Sequence, residues 1–165
     1  MMSERIYLNN DWKFAEQFEA SMTEAAYDDS VMQNVRLPHT CKETPLHYFD
    51  EHCYQMVSGY RRVIEAEEAW KGKKILLTID GAAHDSEVFL NGDKVGEHHC
   101  GYTAFTMDIS GVLRYGEKNI LVVKVDSRED LNIPPFGYVI DYMTYGGIYR
   151  DVYLDIKNKD YIEDI

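Results

Sequence analysis

The sequence predicts an all-β domain, an antiparallel sandwich or jelly roll with at most one or two short helices. Three features of the chain support this prediction. Aromatic residues make up 13% of its 165 residues and include 13 tyrosines, a composition that favours strands. Apolar and polar side chains alternate in several short segments, as they do in strands with one buried face. Turn residues separate these segments at the spacing typical of a sandwich.

The first third of the chain is its least regular part. Residues 6–15, IYLNNDWKFA, alternate around an Asn-Asn-Asp turn and predict a short hairpin. Residues 15–29 are rich in Ala and Glu, but their apolar period is irregular, so they predict at most one short helix. Residues 35–53 contain two prolines and many polar side chains, and they predict a long loop.

Regular strand signals follow in the rest of the chain. The clearest is Asn91-Gly92, which lies between EVFL and DKVGEH. A two-residue type I′ hairpin needs positive φ at both central positions, and Asn followed by Gly meets that need best. A loop at residues 128–147 precedes the last strand. The predicted strands are residues 58–66, 75–79, 87–90, 93–98, 103–113 with its turn, 117–127 and 148–156.

Charge and cysteine content restrict the class of partner and the compartment. The formal net charge of −12 and the pI near 4.8 argue against nucleic acid and anionic membranes, whose phosphates would be repelled. Neutral ligands such as sugars are compatible with this surface. The three cysteines form no CxxC pair, as is typical of free thiols in a reducing compartment. With no apolar run of signal-peptide or transmembrane length, we expect a cytoplasmic protein.

No metal, cofactor or catalytic motif emerges from the residues. His98, His99 and Cys100 are adjacent, but neighbours on a strand point to opposite faces and do not grip one ion without a bulge. The chain contains no HExxH, no GxSxG and no glycine-rich phosphate loop. We therefore expect no metal and no cofactor. The four remaining histidines lie in predicted loops or turns: His39, His47, His52 and His84.

A family resemblance rests on a long ordered series of motifs. The run LTIDGAAHDSEVFLNGDKVGEHHCGYTAFTMDIS, followed by GEKNILVVKVDS and GGIYRDVYL, resembles the amino-terminal sugar-binding-like domain of glycoside hydrolase family 2. That family includes β-galactosidases, β-glucuronidases and β-mannosidases. LNNDWKF, VRLPH and GYRRVI extend the resemblance from about Leu8 to Ile156.

The chain also departs from the pattern of this family. The Trp before LPH and the Asp-Trp after it are missing, and Cys100 stands where Gly is common. These departures leave the substrate subclass open but do not affect the fold.

The resemblance implies a jelly roll of the galactose-binding-domain type. In the family, this domain is followed by an immunoglobulin-like sandwich and a (β/α)8 barrel, and the barrel carries the two carboxylates of a retaining glycosidase. Residues 1–165 would then be one domain of a longer polypeptide, with a linker starting at about residue 157. The chain alone would be inactive and would hold no catalytic residue. Its partners would be the following domains and a carbohydrate substrate of the parent enzyme, a hydrolase of terminal β-glycosides.

The same resemblance singles out the loop before the last strand. It implies that Asp141 faces the substrate pocket of the parent enzyme, where a carboxylate accepts hydrogen bonds from two sugar hydroxyls. Tyr138, Tyr142 and Tyr145 would offer ring faces to the sugar. The alternative is a solvated loop whose tyrosines cover the end of the sandwich.

Other residues are expected to act structurally. Asn91 and Gly92 form the hairpin turn, and Gly146 and Gly147 allow a turn with positive φ before the last strand. Arg150, assigned to that strand, either pairs with a carboxylate, contacts a following domain or is exposed and solvated. Pro134-Pro135 stiffens the preceding loop and is a candidate for a cis bond.

Two functions from different classes fit the sequence. The first is a non-catalytic domain that docks on a catalytic barrel and lends a loop to its substrate pocket. The second is a stand-alone carbohydrate-binding module, because the same architecture serves lectin-like binding. A third interpretation, an enzyme in its own right, would require a carboxylate pair on the sandwich, and no motif indicates one. The docking function also predicts an exposed aromatic cluster.

Overall fold

The fold consists of strands and isolated 3-10 turns. The computed structural model describes residues 4–43, 47, 50–136 and 144–161. In these ranges it contains no α-helix and no helix long and apolar enough to cross a membrane. Four 3-10 turns lie at Ala20–Thr23, Asp29–Val31, Glu51–Tyr54 and Glu68–Trp70. The strands are β1 Glu4–Tyr7, β2 Trp12–Ala15, β3 Gln33–Val35, β4 Val57–Glu65, β5 Lys74–Ile79, β6 Ala82–Ala83, β7 Asp85–Leu90, β8 Asp93–His99, β9 Phe105–Asp108, β10 Lys118–Asp126, β11 Gly147–Ile148 and β12 Val152–Lys157.

The strands form two main sheets and a small ribbon. One sheet has the order β1-β12-β5-β9, the other β3-β2-β4-β10-β7-β8, and β11 pairs with β6. Every pairing is antiparallel. The predicted all-β antiparallel sandwich is confirmed. The 3-10 turns take the place of the one or two short helices that the sequence allowed.

The core lies between the inner faces of the two sheets. On β12 every second side chain is buried, as the alternation predicts: Val152, Leu154 and Ile156. Each such aliphatic side chain contributes about 1.5–3 kcal/mol by leaving water. The outer face of β10 is also covered, because Val122 packs against Met22 and Met32 in a second apolar cluster.

The predicted hairpin over residues 6–15 is wrong. β1 pairs with β12 in one sheet, whereas β2 pairs with β3 and β4 in the other. The turn between them therefore carries the chain from sheet to sheet. Asn9 anchors this crossing, because its side chain accepts a hydrogen bond from the Val152 backbone N–H and donates one to Asp151. Alternation locates a strand but does not say which strand pairs with it.

The Asn91-Gly92 hairpin is confirmed. Asn91 has φ 55° and Gly92 has φ 97°, the two left-handed positions of a type I′ turn. The Asn91 amide group has a second role. It donates to the side-chain oxygen of Asn119 at 2.8 Å and accepts from the Ile120 N–H at 3.0 Å. The turn is thus tied to β10 as well as joining β7 to β8.

The pairing of β4 with β10 defines the two ends of the sandwich. All nine residues of β4 pair with β10, from Val57 opposite Asp126 to Glu65 opposite Lys118. At the rise of an extended strand, these nine residues span about 26 Å. We call the two ends the Val57 end and the Glu65 end. Each contains a cavity, described below.

Replacing Gly92 by Ala should destabilise the fold by about 1–2 kcal/mol, because a β-carbon is disfavoured in the left-handed region. Urea unfolding followed by fluorescence measures this change. The matched control is Gly111→Ala, since that glycine has no positive φ and has open space where the methyl group of alanine would lie. Equal stabilities for the two variants would contradict the prediction.

Candidate functional site

A cavity of about 180 Å³ opens at the Val57 end of the sandwich. Its walls come from segments far apart in sequence: the β6–β11 ribbon, the turn after β8, the loop after β10 and the segment before β12. We call it the Val57-end cavity. The residues that line it are Ala83, His84, Gly101, Tyr102, Pro135, Thr144, Tyr145, Tyr149 and Arg150.

Hydrogen bonds to backbone carbonyls join these segments. The Tyr149 hydroxyl donates to the carbonyl of Gly101, and the Gly101 N–H donates to the carbonyl of Pro134 at 3.2 Å. Arg150 Nη1 donates to the carbonyl of Tyr102 at 3.0 Å. The turn at residues 101–102 is therefore held from both sides, which gives the cavity a defined wall.

Glycine is required at positions 146 and 147 for two different reasons. Gly147 has φ 106°, as predicted for a turn residue, and a β-carbon there would lie 2.5 Å from the Tyr60 hydroxyl. Gly146 has no positive φ. It is needed for close packing, because a β-carbon would lie 2.5 Å from the β-carbon of Ser127 and 2.7 Å from the Cys41 sulfur.

Arg150 lies in a bend between β11 and β12 rather than on the strand. Its guanidinium is 5.1 Å from the ring centre of Tyr149 and donates to backbone carbonyls of Tyr102 and, at 3.5 Å, Asp80. No carboxylate in the described part of the chain pairs with it. Arg150 is exposed at the rim of the cavity, so a contact with a following domain stays a prediction.

The predicted substrate-binding residues are only partly placed. Asp141, Tyr138 and Tyr142 lie outside the described residues. Tyr145 lines the Val57-end cavity and is 46% exposed. Its ring centre is 6.4 Å from that of Tyr54.

The loop that precedes these residues has the cis bond proposed for it. The peptide bond between Pro134 and Pro135 is cis. Pro135 lines the cavity, so this loop forms part of the wall.

His84 is a cavity residue that the sequence did not single out. It is 97% buried, since only 3% of its surface is exposed. Its Nδ1 lies 3.4 Å from the carbonyl of Arg128, while Nε2 is buried with no hydrogen-bond partner in the described chain. Burial lowers the pKa of His84 below its usual value, so the ring is neutral and Nδ1–H donates. Its burial depends on the loop after β10, which no local pattern reveals.

Some apolar side chains of the segments that form the cavity are exposed. Tyr102 is 40% exposed and Tyr145 46%, and Phe136, which follows cavity residue Pro135, is 44% exposed. Leu131, in the same loop, is 60% exposed. An exposed aromatic cluster at a docking face stays a prediction; Tyr102 and Tyr145, which line the cavity, and Phe136 are exposed aromatic side chains of these segments.

The adjacent histidines of β8 have separate partners. His98 Nε2 lies 2.8 Å from the Thr103 hydroxyl, and its ring stacks on Phe105. His99 Nδ1 lies 2.7 Å from a carboxylate oxygen of Asp85. Over the described ranges of the chain, no three His, Cys, Asp or Glu side chains are grouped so as to hold a metal ion.

Replacing Gly147 by Ala should destabilise the domain by about 2–5 kcal/mol, from left-handed strain together with overlap on the Tyr60 hydroxyl. The loss should exceed that of Gly92→Ala, where strain acts without overlap. Urea unfolding measures both variants, with Gly111→Ala as the control. If Gly147→Ala lost no more stability than Gly92→Ala, the β6–β11 ribbon would be able to shift and make room for the methyl group, and the prediction would be wrong.

The stability of the domain should fall as the pH drops below about 6.5. Burial lowers the pKa of His39, His84 and His98 in the folded state, so the unfolded chain takes up protons first. The free energy of unfolding at several pH values between 7 and 5 measures this slope. His84→Asn, which keeps a donor toward Arg128, should reduce the slope, and the exposed His47→Asn serves as control. An unchanged slope in His84→Asn would contradict the prediction.

Comparison with known proteins identifies the family. A family model described as glycosyl hydrolases family 2, sugar binding domain, matches residues 6–158. The chain is 42% identical over 161 residues to a β-galactosidase of Thermoanaerobacter pseudethanolicus, covering 97% of this chain and 22% of that protein. It is also 42% identical to a β-galactosidase of Thermoanaerobacterium thermosulfurigenes, covering 99% of this chain and 23% of the relative.

Some of the more distant relatives are named β-glucuronidases. A β-glucuronidase of Bacteroides fragilis is 34% identical over 160 residues, with 97% of this chain and 22% of that protein covered. The crystal structure of a Bacteroides uniformis β-glucuronidase superimposes with a TM-score of 0.83 at 33% identity, over 94% of this chain and 18% of that one. The chain spans about a fifth of the length of these relatives. It belongs to glycoside hydrolase family 2, as the sugar-binding domain that forms the amino-terminal part of those enzymes.

Proposed function

We propose that the chain is the non-catalytic amino-terminal domain of a larger glycoside hydrolase. The parent enzyme hydrolyses terminal β-glycosides with retention and is of the β-galactosidase type. The observation that carries this proposal is the Val57-end cavity, which is lined by the exposed tyrosines Tyr102 and Tyr145 on a domain that spans about a fifth of the length of its relatives. Such a surface is suited to burial against a neighbouring domain.

The partner at this surface is the following part of the same polypeptide, a sandwich and then a (β/α)8 barrel. Tyr102, Phe136 and Tyr145 are each at least 40% exposed, and burying such rings supplies much of the energy of an interface. Arg150 at the rim adds a cation for a carboxylate of the neighbouring domain. On this proposal residues 1–165 are one domain, and the link onward starts near Lys157, the last residue of β12.

The substrate role falls to the segment that contains Asp141. Pro135 and Thr144 flank this segment in sequence, and both line the Val57-end cavity. On this proposal the segment that contains Asp141, Tyr138 and Tyr142 contributes to the substrate pocket of the parent enzyme. The carboxylate would accept hydrogen bonds from two sugar hydroxyls, and the tyrosine rings would pack against the sugar.

We propose a β-galactoside as the substrate of the parent enzyme because of the names of the more similar relatives. Those at 42% identity are named β-galactosidases, whereas the β-glucuronidase of Bacteroides fragilis is 34% identical. A cytoplasmic location is part of the proposal and is supported by three unpaired thiols, Cys41, Cys53 and Cys100.

The test uses the polypeptide encoded by the complete reading frame. Asp141→Asn should lower kcat/KM on an aryl β-galactoside by roughly 10- to 100-fold, the effect of losing charge-assisted hydrogen bonds to the sugar. Asp93→Asn, an exposed position on β8, is the matched control and should leave kcat/KM unchanged. The 165-residue chain alone should show no turnover.

Two results would refute the proposal. Full activity of Asp141→Asn would remove the substrate role of the loop. Turnover by the 165-residue chain, lost when one of its own carboxylates is replaced, would make the chain an enzyme in itself.

A further inference from the structure

A second and larger cavity, of about 350 Å³, lies toward the Glu65 end of the sandwich. We call it the Glu65-end cavity. Its volume and its mainly apolar walls with a few charged groups are those of a small-molecule site. The apolar lining residues are Ile6, Leu8, Val63, Ile64, Trp70 and Leu154, and the charged ones are Asp11, Arg62 and Glu65.

Arg62 is an unusual residue for the inner face of a sheet. It lies between Tyr60 and Ile64, which are 0% and 3% exposed, and alternation places all three on the core-facing side of β4. Its Nε and Nη1 are buried and have no hydrogen-bond partner in the described chain. Burial lowers the pKa of Arg62, the sign of a cation that is poorly compensated. Leaving such a group unpaired costs free energy.

The neighbouring arginine, Arg61, has hydrogen-bond partners within the fold. Arg61 points to the opposite face, where its Nε donates to Asp29 at 3.1 Å and its Nη1 reaches the carbonyl of Met22 at 3.5 Å. Arg62 has no equivalent among the residues that the structure describes. Within the described chain, Nε and Nη1 of Arg62 therefore add no hydrogen bond to the fold.

Asp11 lines the same cavity as Arg62 and forms no ion pair with it. Its charge is close enough to raise the pKa of Arg62, yet no ion pair forms within 4.0 Å. Glu65 is held only loosely, by Lys118 at 3.8 Å. A donor and two acceptors thus line the same cavity with space between them.

This arrangement defines the chemistry of a ligand. A guanidinium only donates hydrogen bonds and a carboxylate only accepts them, so a ligand that satisfies both needs groups that donate and accept. Sugar hydroxyls do both, and the C–H faces of a sugar ring suit the apolar walls. An anion is disfavoured by Asp11, Glu65 and the net charge of −12.

We propose that the Glu65-end cavity is a carbohydrate-binding site for a single hexose unit. Arg62 donates to hydroxyls of the sugar, and Asp11 accepts from them. Because Nε and Nη1 have no partner in the described chain to hold them in place, the guanidinium turns toward the ligand at little cost. This site lies at the opposite end of β4 from the Val57-end cavity and does not depend on the activity of the parent enzyme.

The test is a titration of the 165-residue chain with methyl β-galactoside and methyl β-glucoside, followed by ¹H–¹⁵N NMR. We expect saturable shifts of the Trp70 indole and the Arg62 Nε–H signals, with Kd on the order of 1–10 mM for a ligand of this size. Arg62→Met should weaken binding at least about tenfold through the lost charge-assisted bonds. Asp11→Asn should weaken it less, because an amide still accepts.

Fold and specificity controls accompany the titration. Arg62→Met should keep or raise the melting temperature, since a half-buried guanidinium whose Nε and Nη1 lack partners in the described chain is replaced by an apolar side chain. Arg114→Met, at an exposed position that lines neither cavity, should bind like the unaltered chain.

Several outcomes would overturn the proposal. They are no saturable shift at Trp70 or Arg62, equal affinity in Arg62→Met, and shifts confined to Thr144 and Tyr145 at the other end. Glycine is the probe for a zwitterion, which would also satisfy the donor and the acceptors. Binding of glycine without binding of either sugar would assign the cavity to an amino acid.

Discussion

The nine-residue antiparallel ladder between β4 and β10 is the constraint on which the rest of the structure depends. It joins residues 57–65 to residues 118–126 and places β2 on one side and β7 on the other. Both strands place alternate side chains in the core, so a slip of one residue would move these side chains to the outer face. The alignment of this ladder also decides which loops meet at each end.

At the Val57 end, the ladder brings together segments that are distant in sequence. His84 donates its backbone N–H to the carbonyl of Asp126, and the Ser127 N–H donates to that of Met56. Gly146 packs directly on Ser127. The cavity wall is therefore an extension of the sheet, held by backbone hydrogen bonds and close packing.

Two adjacent arginines of β4 lie on opposite faces of the sheet and have different surroundings. Arg61 is 3% exposed but has partners in Asp29 and the Met22 carbonyl, because residues 20–31 fold over the outer face. Arg62 faces the interior and lines a cavity instead. Its Nε and Nη1 are buried without hydrogen-bond partners in the described chain, which costs free energy.

The sequence by itself determined the fold class, most strands, the Asn91-Gly92 hairpin and the family, because alternation and turn chemistry act between near neighbours. Tertiary structure alone decided that β1 and β2 belong to different sheets and that Gly146 needs close packing rather than positive φ. It also decided that His84 Nε2 and Arg62 Nε and Nη1 are buried without hydrogen-bond partners in the described chain. Each of these depends on which distant segment packs alongside. A strand alternates in the same way whichever strand it pairs with. The local sequence pattern therefore does not indicate which distant segment packs alongside it.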